Sequence, residues 1–394
     1  MYFTLMAVEL VYEAITKRKT YRLNDSITNI NTGVLQQLIN TFTALFKIAL
    51  YTLIYEHAAL FHWQEGWLAF TVAMILWDFC YYWSHRMAHE VSLFWGGHVV
   101  HHQSEEYNLS VALRQTSTGF FWGFPFYVPM AILGVDPVYY ALAGGFNLLY
   151  QFWIHTEHIG RLPKWFEAVF NTPSHHRVHH GRDPKYLDKN YAGILIIWDR
   201  LFGTFKREEE TPHYGTTKPL KSWNPVYANV AHYVDLFKIV KEVRTVKDGW
   251  NVLFKPPGWQ PEYLGGFQTP SEVGDDYVKY NQGSTGVTAY LFAQFLIFLG
   301  LNAFYFFTQV NYPMEVKVAF ACWIIFSTLL FGFLFERRSR WVKALEFVRL
   351  ASLPAGLYLM SVLGIAPLWM FIAGSAVALL SMGWFVYVLT SSRP

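Results

Sequence analysis

Residues 66–90 read GWLAFTVAMILWDFCYYWSHRMAHE, a mostly apolar run from Gly66 to Ser84 that passes directly into His85 and His89. A helix that crosses a membrane needs about 20 mostly apolar residues, and this run supplies them. Residues four apart on a helix share a face, so His85 and His89 can present two imidazoles to one metal at the end of a span. An apolar helix with metal ligands at its mouth sets the expectation for the chain. The fold class is all-α, a polytopic membrane helical bundle with a helical cap enclosing a His-rich metal site.

Comparable runs lie at 34–55, 119–135 and 137–154, the last two separated by Gly134, Asp136 and Pro137, a tight hairpin signal. Four more follow near 287–309, 314–334, 346–365 and 367–390. Between about 155 and 286 the chain turns polar and no run is long enough to cross. Within it, Trp165-Phe166 with Val169-Phe170, and Trp223 to Phe237, read as amphipathic pieces lying on a membrane surface. Pro256 to Gly286 is rich in Gly, Pro and acids and reads as a linker. The expected organisation is therefore a membrane hydroxylase-like region over 1–255, a linker over 256–286 and a four-span region over 287–394. Met1 to Ile15 is apolar, has no basic leader and precedes Lys17, Arg18, Lys19 and Arg22, which suits a membrane anchor better than a secretory signal.

Composition agrees. Of 394 residues, 53% are hydrophobic and 15% charged, against roughly a quarter charged in soluble domains. The net charge of +3 gives no case for a nucleic-acid partner. Cys80 and Cys322 each sit inside an apolar run, far apart, and read as two small buried side chains rather than a disulfide framework or a thiolate metal site. Basic clusters report orientation. With Lys17–Arg22 in the cytosol and the spans alternating, the Glu56–Gly66 connection falls outside. The span ends near His85 and His155, the long polar region and Glu336-Arg337-Arg338-Ser339-Arg340 fall inside. Two separate basic clusters then satisfy the positive-inside rule on one topology.

The chemistry is carried by histidines. Fifteen are present, and most fall into four groups: His85 and His89; His98, His101 and His102; His155 and His158; and His175, His176, His179 and His180. The pattern H-x2-HH occurs twice and on a helix would place three imidazoles on one face. His57, His62, His213 and His232 stand alone and read as structural. Eight to ten imidazoles with no cysteine suffice for two metals with four or five ligands each. Imidazole suits iron, zinc and copper alike, so ligand type leaves the metal open. Glu90 and Glu157 read either as outer partners that orient ligand imidazoles or as surface charges. The sequence has no flavin, haem or pterin motif and no glycine-rich dinucleotide fingerprint, so reducing equivalents must come from outside the chain.

These boxes resemble those of the fatty acid hydroxylase and sterol desaturase superfamily of membrane diiron enzymes, whose signature is H-x3-H or H-x4-H followed by two H-x2-HH boxes. Within it the similarity is to the pterin-dependent branch that cleaves glyceryl ethers. It runs densely over 78–205, through Ser104–Ser110, Ala112–Gln115, Asn147–Glu157, Asn171–Arg182, Asp188–Gly193, Ile196–Asp199 and Leu201–Thr204. The resemblance implies two non-haem iron ions held by His85, His89, His98, His101, His102, His155, His176, His179 and His180, with His158 and His175 as further ligands or outer partners. It implies O2 as oxidant, a lipid substrate, an external reductant and tetrahydrobiopterin in that role. Glu105, Glu106, Tyr107, Asn108, Arg114 and Gln115, directly after the second box, are then candidates to hold a polar glycerol head or a pterin ring, or else to cap the helix after the box. The alternatives are a sterol, fatty acyl or carotenoid hydroxylase or desaturase fed by a redox protein and, in another class, a membrane metal transporter or metal-storage protein. A transporter would carry its ligands inside the spans near the midplane, whereas these boxes sit at span ends and in the polar region.

Overall fold

The computed structural model describes residues 1–274, 276–280, 285–336 and 339–391; Arg337 and Arg338, part of the second basic cluster, lie outside the described residues. Among the described residues the chain is helical, with no strand and only two isolated bridges, Phe170 with Leu195 and Gly181 with Tyr214. The principal helices are α1 (Tyr2–Thr16), α2 (Leu23–Ala58), α3 (Trp67–Glu90), α4 (Val99–His102), α5 (Pro137–Trp153), α6 (Pro173–His179), α7 (Pro225–Glu242) and α8 (Val246–Phe254). They are followed by α9 (Thr285–Thr308), α10 (Met314–Phe335), α11 (Arg340–Val362) and α12 (Leu368–Ser391). Five of these, α2 and α9 to α12, are long and apolar enough to cross a membrane; α3 and α5, read as spans from the sequence, form as helices but are not among them.

The chain divides into two units. The first comprises residues 1–22, 36–220 and 228–279; the second comprises 23–35, 221–227 and 280–394.

In the first unit α2, α3 and α5 enclose an aromatic core. Tyr51 stacks on Tyr140 with ring centroids 4.0 Å apart, and its hydroxyl donates to the Val135 carbonyl at 2.9 Å. Ala73, Cys80, Met130 and Ala131 fill the space around it. The hairpin into α5 forms where the sequence signals it. Gly134 has φ +81° and its Cα lies against the Phe61 carbonyl, where a Cβ would come within 1.9 Å of the oxygen. Asp136 then caps α5 by accepting from the Val138 amide at 2.7 Å, and Pro137 occupies the first turn, where its missing N–H costs nothing.

The expected span at 119–135 is not one helix. It breaks into Gly119–Gly123, the 3-10 turn Phe124–Tyr127 and Val128–Ile132. Pro125 and Pro129 each remove an amide that a continuous helix would need. Even end to end, residues 119–132 reach only about 21 Å at 1.5 Å per residue, short of the roughly 30 Å hydrocarbon core. Likewise α1 is a single 15-residue helix, about 23 Å long. Its Glu9 is buried and its carboxylate accepts from the Leu109 amide at 2.9 Å and from the Tyr21 and Thr156 hydroxyls. That carboxylate ties the N-terminal helix to the loop after the second histidine group and to Thr156 within the third. Lys47, within α2, donates to Asn40 at 2.7 Å and lies 4.8 Å over the Phe120 ring.

The second unit contains α9 to α12. Phe298 on α9 meets Trp323 and Phe331 on α10, and Tyr305 stacks on Phe320 at 4.5 Å, which fixes an antiparallel register. Helices α11 and α12 approach closely at Gly374, where a Cβ would lie 2.3 Å from Leu357. Buried Glu346 and Arg349 pair at 2.6 Å, with Gln294 accepting from Arg349 at 2.8 Å. Both cysteines are free. Cys80 is buried as expected but Cys322 is exposed, because it lies on the outward face of α10.

Candidate metal centre

The histidine-bearing elements of the site all belong to the first unit. The last two turns of α3 bring His85 and His89 to its end. His98 is the N-cap residue of α4, which is one turn long and carries His101 and His102. His155 follows α5 within two residues. Helix α6 starts at Pro173 after the extended Thr172 and carries His175, His176 and His179, with His180 as its C-cap.

The nine histidines that the sequence and its resemblance single out assemble into two groups. His85, His89, His98, His102 and His179 form one; His101, His155, His176 and His180 form the other. Within each, one ring nitrogen per residue lies within 4.8 Å of all the others. Both H-x2-HH boxes therefore divide, rather than presenting three rings on one face. On a helix of 100° per residue the i, i+4 pair is about 40° apart, while the i+3 residue stands about 60° to the other side. His98 and His102 accordingly stay together and His101 goes to the other group; His176 and His180 stay together and His179 crosses.

The outer nitrogens fix the tautomers. A carbonyl oxygen can only accept, so a ring nitrogen bonded to one carries the proton. His85 Nδ1 donates to the Tyr191 carbonyl at 2.7 Å, His101 Nδ1 to Arg114 at 3.0 Å, His155 Nδ1 to Gln151 at 2.7 Å and His179 Nδ1 to Lys189 at 2.9 Å. In neutral rings Nε2 is then a bare lone pair. His101 and His155 nevertheless face each other Nε2 to Nε2 at 3.1 Å, two acceptors with no proton between them. His176 Nε2 lies 3.0 Å from His155, and in the other group His98 Nε2 lies 2.8 Å from His85 and 3.0 Å from His102. The Nε2 atoms of His89, His179 and His180 are buried without any hydrogen-bond partner.

A cation resolves all of these contacts. Two nitrogens each about 2.1 Å from one ion at right angles lie about 3 Å apart, and a trans pair about 4.2 Å apart. Both separations fit within the dimensions of the two groups. Protonation does not resolve them, because burial and the neighbouring imidazoles push His98, His102, His176, His179 and His180 well below the ordinary histidine range. His101 is lowered to about 4, chiefly by burial. The donor set is entirely imidazole, and it fits non-haem iron.

The remaining site candidates stand outside both groups. His158 lies edge-on to Tyr12 with its Nε2 3.4 Å from the Thr20 hydroxyl. His175 sits edge-on to Phe205, 4.0 Å from a Glu167 oxygen. Glu90 pairs with Arg86 at 2.8 Å, and burial raises the carboxyl of Glu157 above its usual range. After the second box, Glu105 and Glu106 face Arg22, with Tyr277 donating to Glu105 and Lys279 to Glu106 at 2.7 Å. The Tyr107 hydroxyl donates to the Ile154 carbonyl at 3.0 Å while its ring stacks on Tyr214. Asn108 donates to the Thr20 carbonyl, Arg114 to the Val100 carbonyl at 2.6 Å, and Gln115 to the Ala112 carbonyl. Of the lone histidines, His57 bonds the Leu53 carbonyl, His213 Asp183 and His232 the Ser92 carbonyl, and His62 lies edge-on to Tyr55.

Two carboxylates that sequence reasoning passed over brace the centre from behind. Asp78, buried in the middle of α3, accepts from the amides of Ile194 and Leu195, from Trp198 Nε1 and from Asn147. Asp199 accepts from the amides of Tyr191 and Ala192, both at 2.8 Å, and burial raises its carboxyl to about 6. An ionisable residue inside an apolar run was the available signal for Asp78.

Residues 70–204, which contain all nine histidines, match the family model for fatty acid hydroxylase. The alkylglycerol monooxygenase of Homo sapiens is 39% identical over 345 residues, 86% of this chain and 77% of the relative. That of Danio rerio is 38% identical over 333 residues, 83% of this chain and 74% of the relative. That of Xenopus tropicalis is 36% identical over 353 residues, covering 88% and 78%. No solved structure matches the chain. With similarity of this extent, running well beyond the histidine boxes, the chain belongs to the alkylglycerol monooxygenase family of fatty acid hydroxylase-type enzymes.

Proposed function

We propose that this chain is a diiron membrane monooxygenase that hydroxylates alkylglycerols at the carbon beside the ether oxygen. The carrying observation is the division of nine histidines, eight of them buried and His98 partly buried, into a set of five and a set of four, with two unprotonated nitrogens facing each other in the smaller set. The five-histidine set would hold one iron and the four-histidine set the other; bound there, the irons supply O2 activation. Positions not filled by imidazole leave room for oxygen. His158, His175, Glu90 and Glu157 lie outside both sets and are not assigned as ligands.

Oxygen accepts four electrons overall, two from the substrate C–H bond and two from an external reductant. With two protons, one oxygen atom enters the lipid and the other leaves as water. The product is a hemiacetal, which breaks its former ether bond to give a fatty aldehyde and glycerol. The ether substrate and tetrahydrobiopterin as the two-electron donor rest on the likeness to the named relatives. The protein's own part is to hold the Nδ1 protons of His85, His101, His155 and His179 on backbone carbonyls, which keeps their Nε2 atoms free and their rings fixed. We further assign the histidine boxes to the cytosolic side, on the two basic clusters of the sequence, and the hydroxylase domain to 1–255 and a separate membrane region to 287–394, on where the apolar runs fall.

The test is turnover. Purified protein in detergent is assayed for fatty aldehyde from an alkylglycerol, with and without tetrahydrobiopterin, alongside iron analysis. About two irons per chain and pterin-dependent aldehyde release are expected. Turnover that ignores the pterin and requires a ferredoxin or cytochrome would transfer the assignment to a protein-fed hydroxylase.

A further inference from the structure

Three of the five histidines in the larger set turn their second ring nitrogen toward one short stretch of chain. His179 Nδ1 donates to the carbonyl of Lys189 at 2.9 Å, and His85 Nδ1 to the carbonyl of Tyr191 at 2.7 Å. His89 Nδ1 stands 3.5 Å from a carboxylate oxygen of Asp188. The smaller set takes its partners elsewhere: Gln151, four residues back in the chain, for His155, and Arg114 for His101.

The backbone of this stretch is unusual. Asp188 and Asn190 both have φ +56°, with Lys189 between them. Asp and Asn enter this left-handed region more readily than other residues with a side chain. The turn is also anchored from outside. Asn190 is fully buried, donating to the carbonyls of His175 and Lys206 and accepting from the Lys206 amide. Beyond it, both Asp199 oxygens hold the consecutive amides of Tyr191 and Ala192. The carboxylate of Asp199 thus fixes a peptide whose other end, the Tyr191 carbonyl, fixes His85.

We infer that the turn Asp188–Tyr191, braced by Asp199, is the positioning element of the five-histidine site and not of the four-histidine site. It sets the Nδ1–H tautomer of His85 and His179 and orients the ring of His89. This rests on the two-ion reading given above. Metal-ligating histidines that lose their outer partner typically lose about 10–100-fold in metal affinity. The structure therefore separates the two ions by what supports them, and damage to the turn should fall on one only.

The metal-free protein, wild type and the variants Asp188→Gly and Asp199→Asn, is titrated anaerobically with iron(II), and the bound 57Fe is read by Mössbauer spectroscopy. Glycine accepts φ +56° and removes the carboxylate from His89. Asparagine at 199 sets an NH2 group against a backbone amide. Each variant is expected to bind one iron as tightly as wild type and the other about 10–100-fold more weakly, with one Mössbauer component lost first. Adding His101→Ala to either should remove the tight iron that the single variant keeps. Equal weakening of both irons, or no weakening of either, overturns the inference. Should Asp199→Asn fail to fold, Asp188→Gly decides alone, since the Asp188 side chain is more than half exposed. A wild-type protein that takes up fewer than two irons refutes the two-ion reading instead, and the wild-type titration shows this before any variant is compared.

Discussion

The carbonyl of Arg114 accepts the Nδ1 proton of His101 at 3.0 Å, while the Arg114 guanidinium is spent on the Val100 carbonyl at 2.6 Å and the Gln103 side chain at 2.9 Å. One residue thus closes the loop after the second box at both ends, and its side chain is buried. Arg114→Ala would remove two charge-assisted hydrogen bonds, to the buried Val100 carbonyl and to the Gln103 side-chain oxygen, at a cost of about 1.5–3 kcal/mol for each. The expected result is a lower unfolding temperature together with loss of iron from the four-histidine site. Lysine should not rescue it, because one ammonium cannot reproduce the fork. A variant that folds normally and keeps both irons would show that this arginine does not support His101.

Alanine at any of the nine grouped histidines should abolish turnover and reduce bound iron, since a site with open positions loses geometry as well as affinity. His57→Ala is the contrast, because His57 is exposed and bonds only a carbonyl in its own helix. Full activity and iron content in His101→Ala or His179→Ala would remove that residue from the ligand set.

Acid should destabilise the metal-free protein in a defined window. His101 ionises near pH 4 in the fold and near 6.5 when unfolded, so between these values the unfolded chain binds more protons. The contribution is complete above pH 6.5 and is lost as pH falls toward 4, on the order of 3 kcal/mol for this group. The other lowered histidines act in the same direction. Thermal unfolding in detergent at pH 7, 5.5 and 4.5 measures it, and a flat profile would contradict the burial of neutral imidazoles.

The proposed orientation is open to single-cysteine labelling in intact cells. Glu65, Lys164 and Ser339 are exposed positions. Lys164 and Ser339 are expected to be protected from an impermeant reagent added outside, and Glu65 to react. Opposite behaviour of Lys164 and Ser339 would dismiss the topology.

Much of this was open to reading in one dimension. The apolar periods of α3 and of α9 to α12 announce helices wherever they are, because a buried or lipid-facing helix needs little but length and apolarity. The pairs His85/His89, His98/His102 and His176/His180 are fixed by helical pitch, and each stays together in the structure. The cap at Asp136 and the turn at Gly134 are likewise local, and they form where the sequence puts them.

What the sequence could not determine is set by contacts between distant residues. Nothing local assigns His101 to the company of His155, or His179 to that of His85, because these partners are 54 and 94 residues apart in the chain and meet only once α4, α5 and α6 converge on α3. Residues 119–135 are apolar enough to suggest a span, yet Pro125 and Pro129 break them into three pieces. Asp78 looks like a misplaced charge until Ile194, Leu195, Trp198 and Asn147 arrive to satisfy it. The Asp188–Tyr191 turn acquires its role only because Asp199 and Asn190 hold its carbonyls against rings carried by two other helices. Helical pitch is a property of neighbours along the chain, so the sequence determined it. The tautomer of a buried histidine depends on whichever carbonyl folding brings to its second nitrogen, so only the tertiary structure could decide it.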